Sequence, residues 1–183
     1  MKPTKYILLL RTFCTILISC HHKPKDPFIG KQIHFDKELK LIFNQMVIRD
    51  IPDSLQKGKY RMITIHDATC PKCIYGKLNL VDQKLFSRLH GIDKMDVIHI
   101  LNIQPGDSLY FRNKMYAQVK VEGELVWDRN FIFEESNQLF TPDESKRVFL
   151  VDPSNKIVMT GDPLLDPDCI TRYNAIIDTI SAL

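Results

Sequence analysis

Several features that would define a class of protein are scarce or missing in this sequence. Seven glycines in 183 residues exclude collagen-like and glycine-rich low-complexity chains, and five cysteines are too few for a disulfide-dense miniprotein. No block of five or more Lys or Arg occurs, and the formal charge of +3 comes from Lys2, Lys5 and Arg11. These three lie in the first 19 residues, which hold no acidic residue; beyond them 22 basic residues face 22 acidic ones. Nucleic-acid binding therefore has no electrostatic case. No apolar run reaches the roughly 20 residues of a spanning helix. Nor is there an internal repeat, a low-complexity tract or a second linker. What is present, 44% hydrophobic and 26% charged residues, suits one globular domain with a substantial core.

The amino end reads as an export signal spanning residues 1–19, with a basic start and apolar stretches at Tyr6 to Leu10 and Phe13 to Ile18, interrupted by Arg11. Leu17-Ile18-Ser19-Cys20 resembles the lipobox of bacterial lipoproteins, in which the Cys is diacylated and becomes the new amino terminus. Residues 20–27 are polar and Pro-rich, as a tether is. The adjacent His21 and His22 read as solvated tether residues. The alternative is an ordinary signal peptide, with Cys20 a chance thiol.

Residues 28–59 alternate weakly, and short strands are expected there, with a helix over Leu39 to Val47 as the competing pattern. Tyr60 to Ile65 is a β-rich run followed by the turn-like His66 to Thr69. Cys70-Pro71-Lys72-Cys73 comes next, then apolar residues at Ile74, Leu78, Val81, Leu85 and Leu89, which mark one face of a helix ending near Gly91. A second β-run, Asp96 to Leu101, follows at once, so two parallel neighbouring strands are expected. Beyond it lie a capped, weakly amphipathic segment from Pro105 towards Gly123 and a β-run at Phe131 to Phe133. Val148 to Val151 and Ile157 to Met159 make a hairpin, and Asp166-Pro167 opens a last helix with Cys169, Tyr173, Ile176 and Ile177 on its apolar face.

The C-x-x-C pair, after a strand and at a helix opening in an exported chain, carries the most chemistry. Free N–H groups and the helix dipole at that end favour a Cys70 thiolate, the attacking species in disulfide exchange. Pro71 suits the first helical turn, and Lys72 adds positive charge. Cys73, three residues on, can resolve a mixed disulfide formed at Cys70. Half of a zinc site and a static disulfide are the other readings of the same pair, though no second C-x-x-C or H-x-x-x-H completes a zinc site. Cys169, on an apolar stripe, reads as core.

In element order and in three stretches, the lipobox, Tyr60 to Cys73 and Arg147 to Pro163, the sequence resembles the thioredoxin-like lipoproteins of Bacteroides-type bacteria, of the redoxin/TlpA-like kind. The resemblance implies an α/β thioredoxin-like fold over residues 28–183, a central mixed sheet flanked by helices, with residues 28–59 as an amino-terminal β extension. It implies Cys70 as exposed nucleophile and Cys73 as buried resolving thiol, with Pro71, Lys72 and Lys146 as contacts for a partner. Two departures stand out. Lys146 occupies the place of the usual cis-proline, and Thr64 that of the buried acid six residues before the first Cys. Proton transfer then falls to His66 or Asp67, with a surface His66 and a turn-capping Asp67 as the competing reading. Trp127 adjoins neither cysteine in sequence and has no assigned role.

The resulting expectation is a membrane-anchored thiol–disulfide oxidoreductase in the bacterial cell envelope, on the periplasmic side, without a cofactor. It would exchange disulfides with exported proteins and draw on an electron donor or acceptor. A metal-binding module using the same cysteines with His66 or His34, and a non-catalytic binding domain, are the alternatives.

Overall fold

The computed structural model describes residues 26–42 and 48–181, with only the backbone of Pro71, Lys72, Met115 and Ser181. The signal, the lipobox and most of the tether lie outside the described residues.

Two parallel strands, β3 (Arg61–Asp67) and β4 (Asp96–Asn102), form the centre of the sheet, in register from Arg61 opposite Asp96 to Asp67 opposite Asn102. Every residue of both except Asp67 and Asp96 is buried, as central parallel strands covered on two faces require. The 18-residue helix joining them is the one expected after the cysteine pair. The order β2–β1–β5–β4–β3–β6–β7 completes a seven-stranded mixed sheet. In it β1 is Lys40–Ile42, β2 Ile48–Asp50, β5 Glu124–Asp128, β6 Val148–Val151 and β7 Ile157–Thr160. The amino-terminal extension is thus a short hairpin, β1–β2, paired through β1 to β5, and the carboxy-terminal hairpin β6–β7 lies where its composition puts it.

The helices are α1 (Asp53–Gln56), α2 (Pro71–Arg88), α3 (Pro105–Tyr110), α4 (Ile132–Ser136) and α5 (Pro167–Ser181). α2 and α5 cover one face of the sheet. There Leu85, Leu89, Cys169, Tyr173 and Ile177 pack on Met62, Val97, Val148 and Leu150. The other face carries Ile63, Ile65, Ile98, Ile100 and Phe149, under Phe28, Ile33 and Leu39 of the extension and Phe133 of α4.

Three local expectations give way. Residues 131–133 form no strand: Asn130 and Phe131 take the left-handed region at φ 59° and 61°, and α4 starts at Ile132. Its opening N–H groups are held by the Asp128 carboxylate, which accepts from Ile132 N at 2.9 Å and Phe133 N at 3.0 Å. Lys31 to Phe35 makes a single bridge, Gln32 to Lys156, instead of a strand. His66 and Asp67 belong to β3 and not to a turn, because the parallel ladder with β4 runs on to Asn102.

Cys169 is fully buried, packed beside Gly161, where an added Cβ would lie 3.0 Å from its sulfur. Burial raises its thiol to about 11. In native protein at pH 8, iodoacetamide is expected to leave Cys169 unmodified over a time in which reduced Cys70 is fully alkylated, as read by peptide mass spectrometry. Labelling of Cys169 at the rate of Cys70 would contradict its place in the core.

Candidate functional site: a disulfide above a buried hydrogen-bond chain

Cys70 is the N-cap of α2, with Pro71 at the first helical position, where a missing N–H costs nothing. Its carbonyl accepts from Cys73 N at 2.9 Å and Ile74 N at 3.2 Å, closing the first turn. Cys70 and Cys73 are joined as a disulfide with Cα atoms 5.3 Å apart. Both are exposed, so Cys73 is not the buried thiol that the resemblance implied. Helix geometry explains this. Ile74, Leu78 and Leu85 carry the buried face, whereas Cys73 falls on the stripe of Lys77, Leu80 and Lys84 that borders solvent.

Below this turn the even-numbered residues of β3 face α2. Thr64 and His66 are buried there, as are His99 of β4 and Asp82 of α2. Thr64 Oγ1 lies 2.9 Å from His66 Nε2 and 2.7 Å from His99 Nδ1, and the two ring nitrogens are 3.2 Å apart. His99 Nε2 lies 3.0 Å from Asp82 Oδ1. Asp82 also accepts from Glu122 N at 2.9 Å and Gly123 N at 3.1 Å. Burial alone would push the Asp82 carboxyl up, but the bond from His99 and those from the two backbone N–H groups outweigh it and hold the group below its ordinary range. An ionised Asp82 only accepts, so His99 Nε2 donates to it. Thr64 Oγ1, with a single proton to give, lies between the two rings and also within 3.5 Å of the Ile98 carbonyl oxygen. Burial, His99 and the nearby Lys77 keep His66 well below the ordinary imidazole range, hence neutral.

His66 is therefore no surface residue, while Asp67 is exposed and accepts from Thr69 N at 3.0 Å, capping the turn. His66 lines a cavity of about 290 Å³ between α2, the start of β6 and the loop after β7. Lys77 and Leu80, on the Cys73 stripe, form one wall, and Arg147, Leu164 and Leu165 another. Lys146 lies in the short turn before β6 and borders a separate cleft with Ile29, Thr160 and Arg172.

On the opposite face, at the same ends of the strands, lies a second buried polar group. Glu134 of α4 accepts from Asn102 Nδ2 at 3.2 Å and lies 3.6 Å from Arg147 Nε. Burial pushes its carboxyl up against the pull of Arg147. Trp127, without a role in the sequence reading, packs with Ala68, Ile74 and Leu78 beside the cysteine turn, donates to Ile103 O at 2.9 Å, and carries the Arg129 guanidinium over its ring. Among the described residues no group of three or more His, Cys, Asp or Glu is arranged to hold a metal ion. His66 is engaged in the chain just described, and His34 is exposed, its backbone bonded to Asn137.

No protein-family model and no curated protein sequence matches the chain. Solved structures do. Plasmodium vivax 2-Cys peroxiredoxin, reduced, superposes with a TM-score of 0.54 at 16% identity, over 85% of this chain and 97% of that one. A Chlorobium tepidum protein assigned as the thiol:disulfide interchange protein DsbE gives 0.50 at 15% identity, over 81% and 96%. Mycobacterium bovis AhpC gives 0.50 at 16%, over 84% and 92%. The fold is thioredoxin-like. Its central motif is β3–α2–β4 followed by β6–β7–α5, with β5 and the β1–β2 hairpin added at the β4 edge.

Sequence reasoning found the cysteine pair and His66 but passed over Asp82, His99 and Glu134. Asp82 had a signal. It stands four after Leu78 and three before Leu85, so a carboxylate occupies the apolar stripe itself, where Val81 had been given the place. His99 interrupts an apolar strand in the same way.

Proposed function

We propose that the protein is a thiol–disulfide oxidoreductase acting through Cys70 and Cys73, with Cys70 as nucleophile and Cys73 as resolving thiol. The observation that carries this reading is an exposed disulfide closed across the first turn of α2 on a thioredoxin-like fold. A structural bridge serves best when buried; an exposed one at a helix opening is open to an attacking thiolate, and the dipole stabilises the thiolate released. Equilibration in glutathione buffers, read by the fraction of protein alkylated, tests it. A pair that exchanges reversibly within the range of the redoxins, about −120 to −270 mV, is expected. A bridge that stays oxidised throughout would leave a static disulfide.

The proposed setting is the bacterial cell envelope, with lipid on Cys20 and exported proteins as partners. Its support is the lipobox-like Leu17 to Cys20 and the polar tether after it. Among the described residues no helix is long and apolar enough to cross a membrane. Mass spectrometry of the protein from its native host is expected to show a diacylated amino-terminal Cys20, and Cys20→Ala to release the protein from membranes. A chain still beginning at Met1 would refute the anchor.

A further inference from the structure

We propose that the partner protein is held to the same membrane and presents its cysteines close to the lipid surface, an inference that rests on the exchange reaction and the lipid anchor proposed above. It follows from where the chain enters the domain. Asp26 Oδ2 accepts from Thr160 Oγ1 at 2.6 Å, and Asp26 Oδ1 from Phe28 N at 2.9 Å. Beyond Asp26 the chain is fixed to the edge of β7: Gly30 N donates to Ile157 O at 2.8 Å, Ile157 N to Lys31 O at 2.9 Å and Ile33 N to Asn155 O at 2.7 Å. Phe28 and Ile33 are buried in the core. Asp26 is six residues after Cys20, so a lipid on Cys20 holds this entry within about 21 Å of the bilayer.

The entry lies towards the cysteine end of the sheet. β7 and β3 are parallel to each other, since each is antiparallel to β6 between them. The segment along β7 is antiparallel to it, with Gln32 opposite Lys156, so its amino end points the way that β3 runs, towards Cys70. Thr160 is level with Ile63, both being paired with Phe149, and Asp67 is four residues further along β3 and two strands across. At about 3.3 Å per residue and about 4.8 Å per strand, the Cα atoms of Thr160 and Asp67 are about 16 Å apart. Contacts bridge the same corner. Asp162 N donates to Ser145 O at 2.7 Å, and Glu144 lies 3.7 Å from Lys77, one turn of α2 after Cys73.

These lengths set the reach of the sulfurs, roughly 50 Å from the lipid surface at full stretch. An entry beside Arg61, at the other end of β3, would have put the length of the sheet between anchor and sulfurs. A partner whose cysteines stand far from the bilayer is out of reach, and one held to the same membrane gains from a high local concentration. The exchange balances without a further reagent: the Cys70 and Cys73 thiols are oxidised to their disulfide, the partner's disulfide is reduced to two thiols, and two protons pass with the two electrons.

The test places the full lipidated protein, reduced, in vesicles of phosphatidylethanolamine and phosphatidylglycerol. The probe is a synthetic peptide disulfide attached to lipid in the same vesicles, through about ten Gly/Ser residues or on a helical spacer of about 50 residues, about 75 Å long. The near peptide is expected to be reduced at least about tenfold faster than the far one. Inserting about 30 Gly/Ser residues between Lys23 and Pro24, ahead of the fixed Asp26, adds about 30 Å of reach and is expected to cut that ratio at least about threefold. Equal rates for the two peptides, or a ratio that the insertion leaves unchanged, would overturn the inference. Protein that fails to float with the vesicles would overturn the anchor and this inference with it. Failure to reduce the same peptide free in solution would instead overturn the exchange reaction itself.

Discussion

Cys73→Ala is expected to collect partner proteins as mixed disulfides in envelope extracts, while Cys70→Ala collects few or none. The difference follows from position on α2. Cys70 is the N-cap, where the unpaired N–H groups of the first turn and the positive end of the dipole favour its thiolate. Cys73 sits one turn further in. Removing Cys73 leaves the attacking sulfur and takes away the thiol that would release the partner, so the adduct accumulates from a trace to a large share of the protein. Both residues are exposed, so burial of Cys73 is not what separates the roles, and the assignment rests on the difference in thiolate stability. Non-reducing electrophoresis, with partners released by reductant and identified by mass spectrometry, gives the readout. Equal trapping by both variants would undo the assignment of roles. No trapping by either, with stoichiometric metal on the wild-type protein, would turn the reading towards a metal-binding module.

Local pattern was enough for the elements that hold the cysteines. The run before Cys70, the four-and-three spacing after it and the next run specify strand, helix and parallel strand, and the structure has them at Arg61–Asp67, Pro71–Arg88 and Asp96–Asn102. The β6–β7 hairpin and the buried Cys169, Tyr173 and Ile177 face of α5 follow from the same periodicities. What pattern could not supply was set by tertiary contact. Phe131 to Phe133 has β-forming residues, but Asp128, itself buried at the end of β5, captures the next free N–H groups and starts a helix. Neither Thr64 nor His66 signals a network alone. The chain exists because β3 and β4 are in parallel register, Thr64 opposite His99, and because α2 crosses above them with Asp82 pointing in. Spacing along one segment carries no information about that meeting of three.

Asp128 offers the clearest measurable consequence of burying a charge in this fold. Burial pushes its carboxyl up to about 6, beyond what the bonds from Phe133 N and Ile132 N recover, and the nearby Glu134 and Asp36 push the same way. Between the unfolded value near 3.9 and the folded value, the native state binds more protons than the unfolded chain, so this group's contribution to stability falls as pH rises from about 4 to 6 and is level above that. His66 acts in the opposite sense. Held neutral in the fold, it lets the unfolded chain take a proton below about 6.5, so its contribution rises with pH over the same window. The two slopes oppose each other, and the wild-type profile alone understates both. Comparison with Asp128→Asn isolates one, since every other group appears in both proteins. Urea unfolding at pH 4 and pH 7 is expected to show the stability difference between wild type and Asp128→Asn moving by about 2 kcal/mol in favour of the wild type at the lower pH. A difference that stays constant across that window would mean that Asp128 titrates normally, and that the two N–H groups opening α4 are held by an ordinary surface carboxylate, with no buried charge beneath the strand ends.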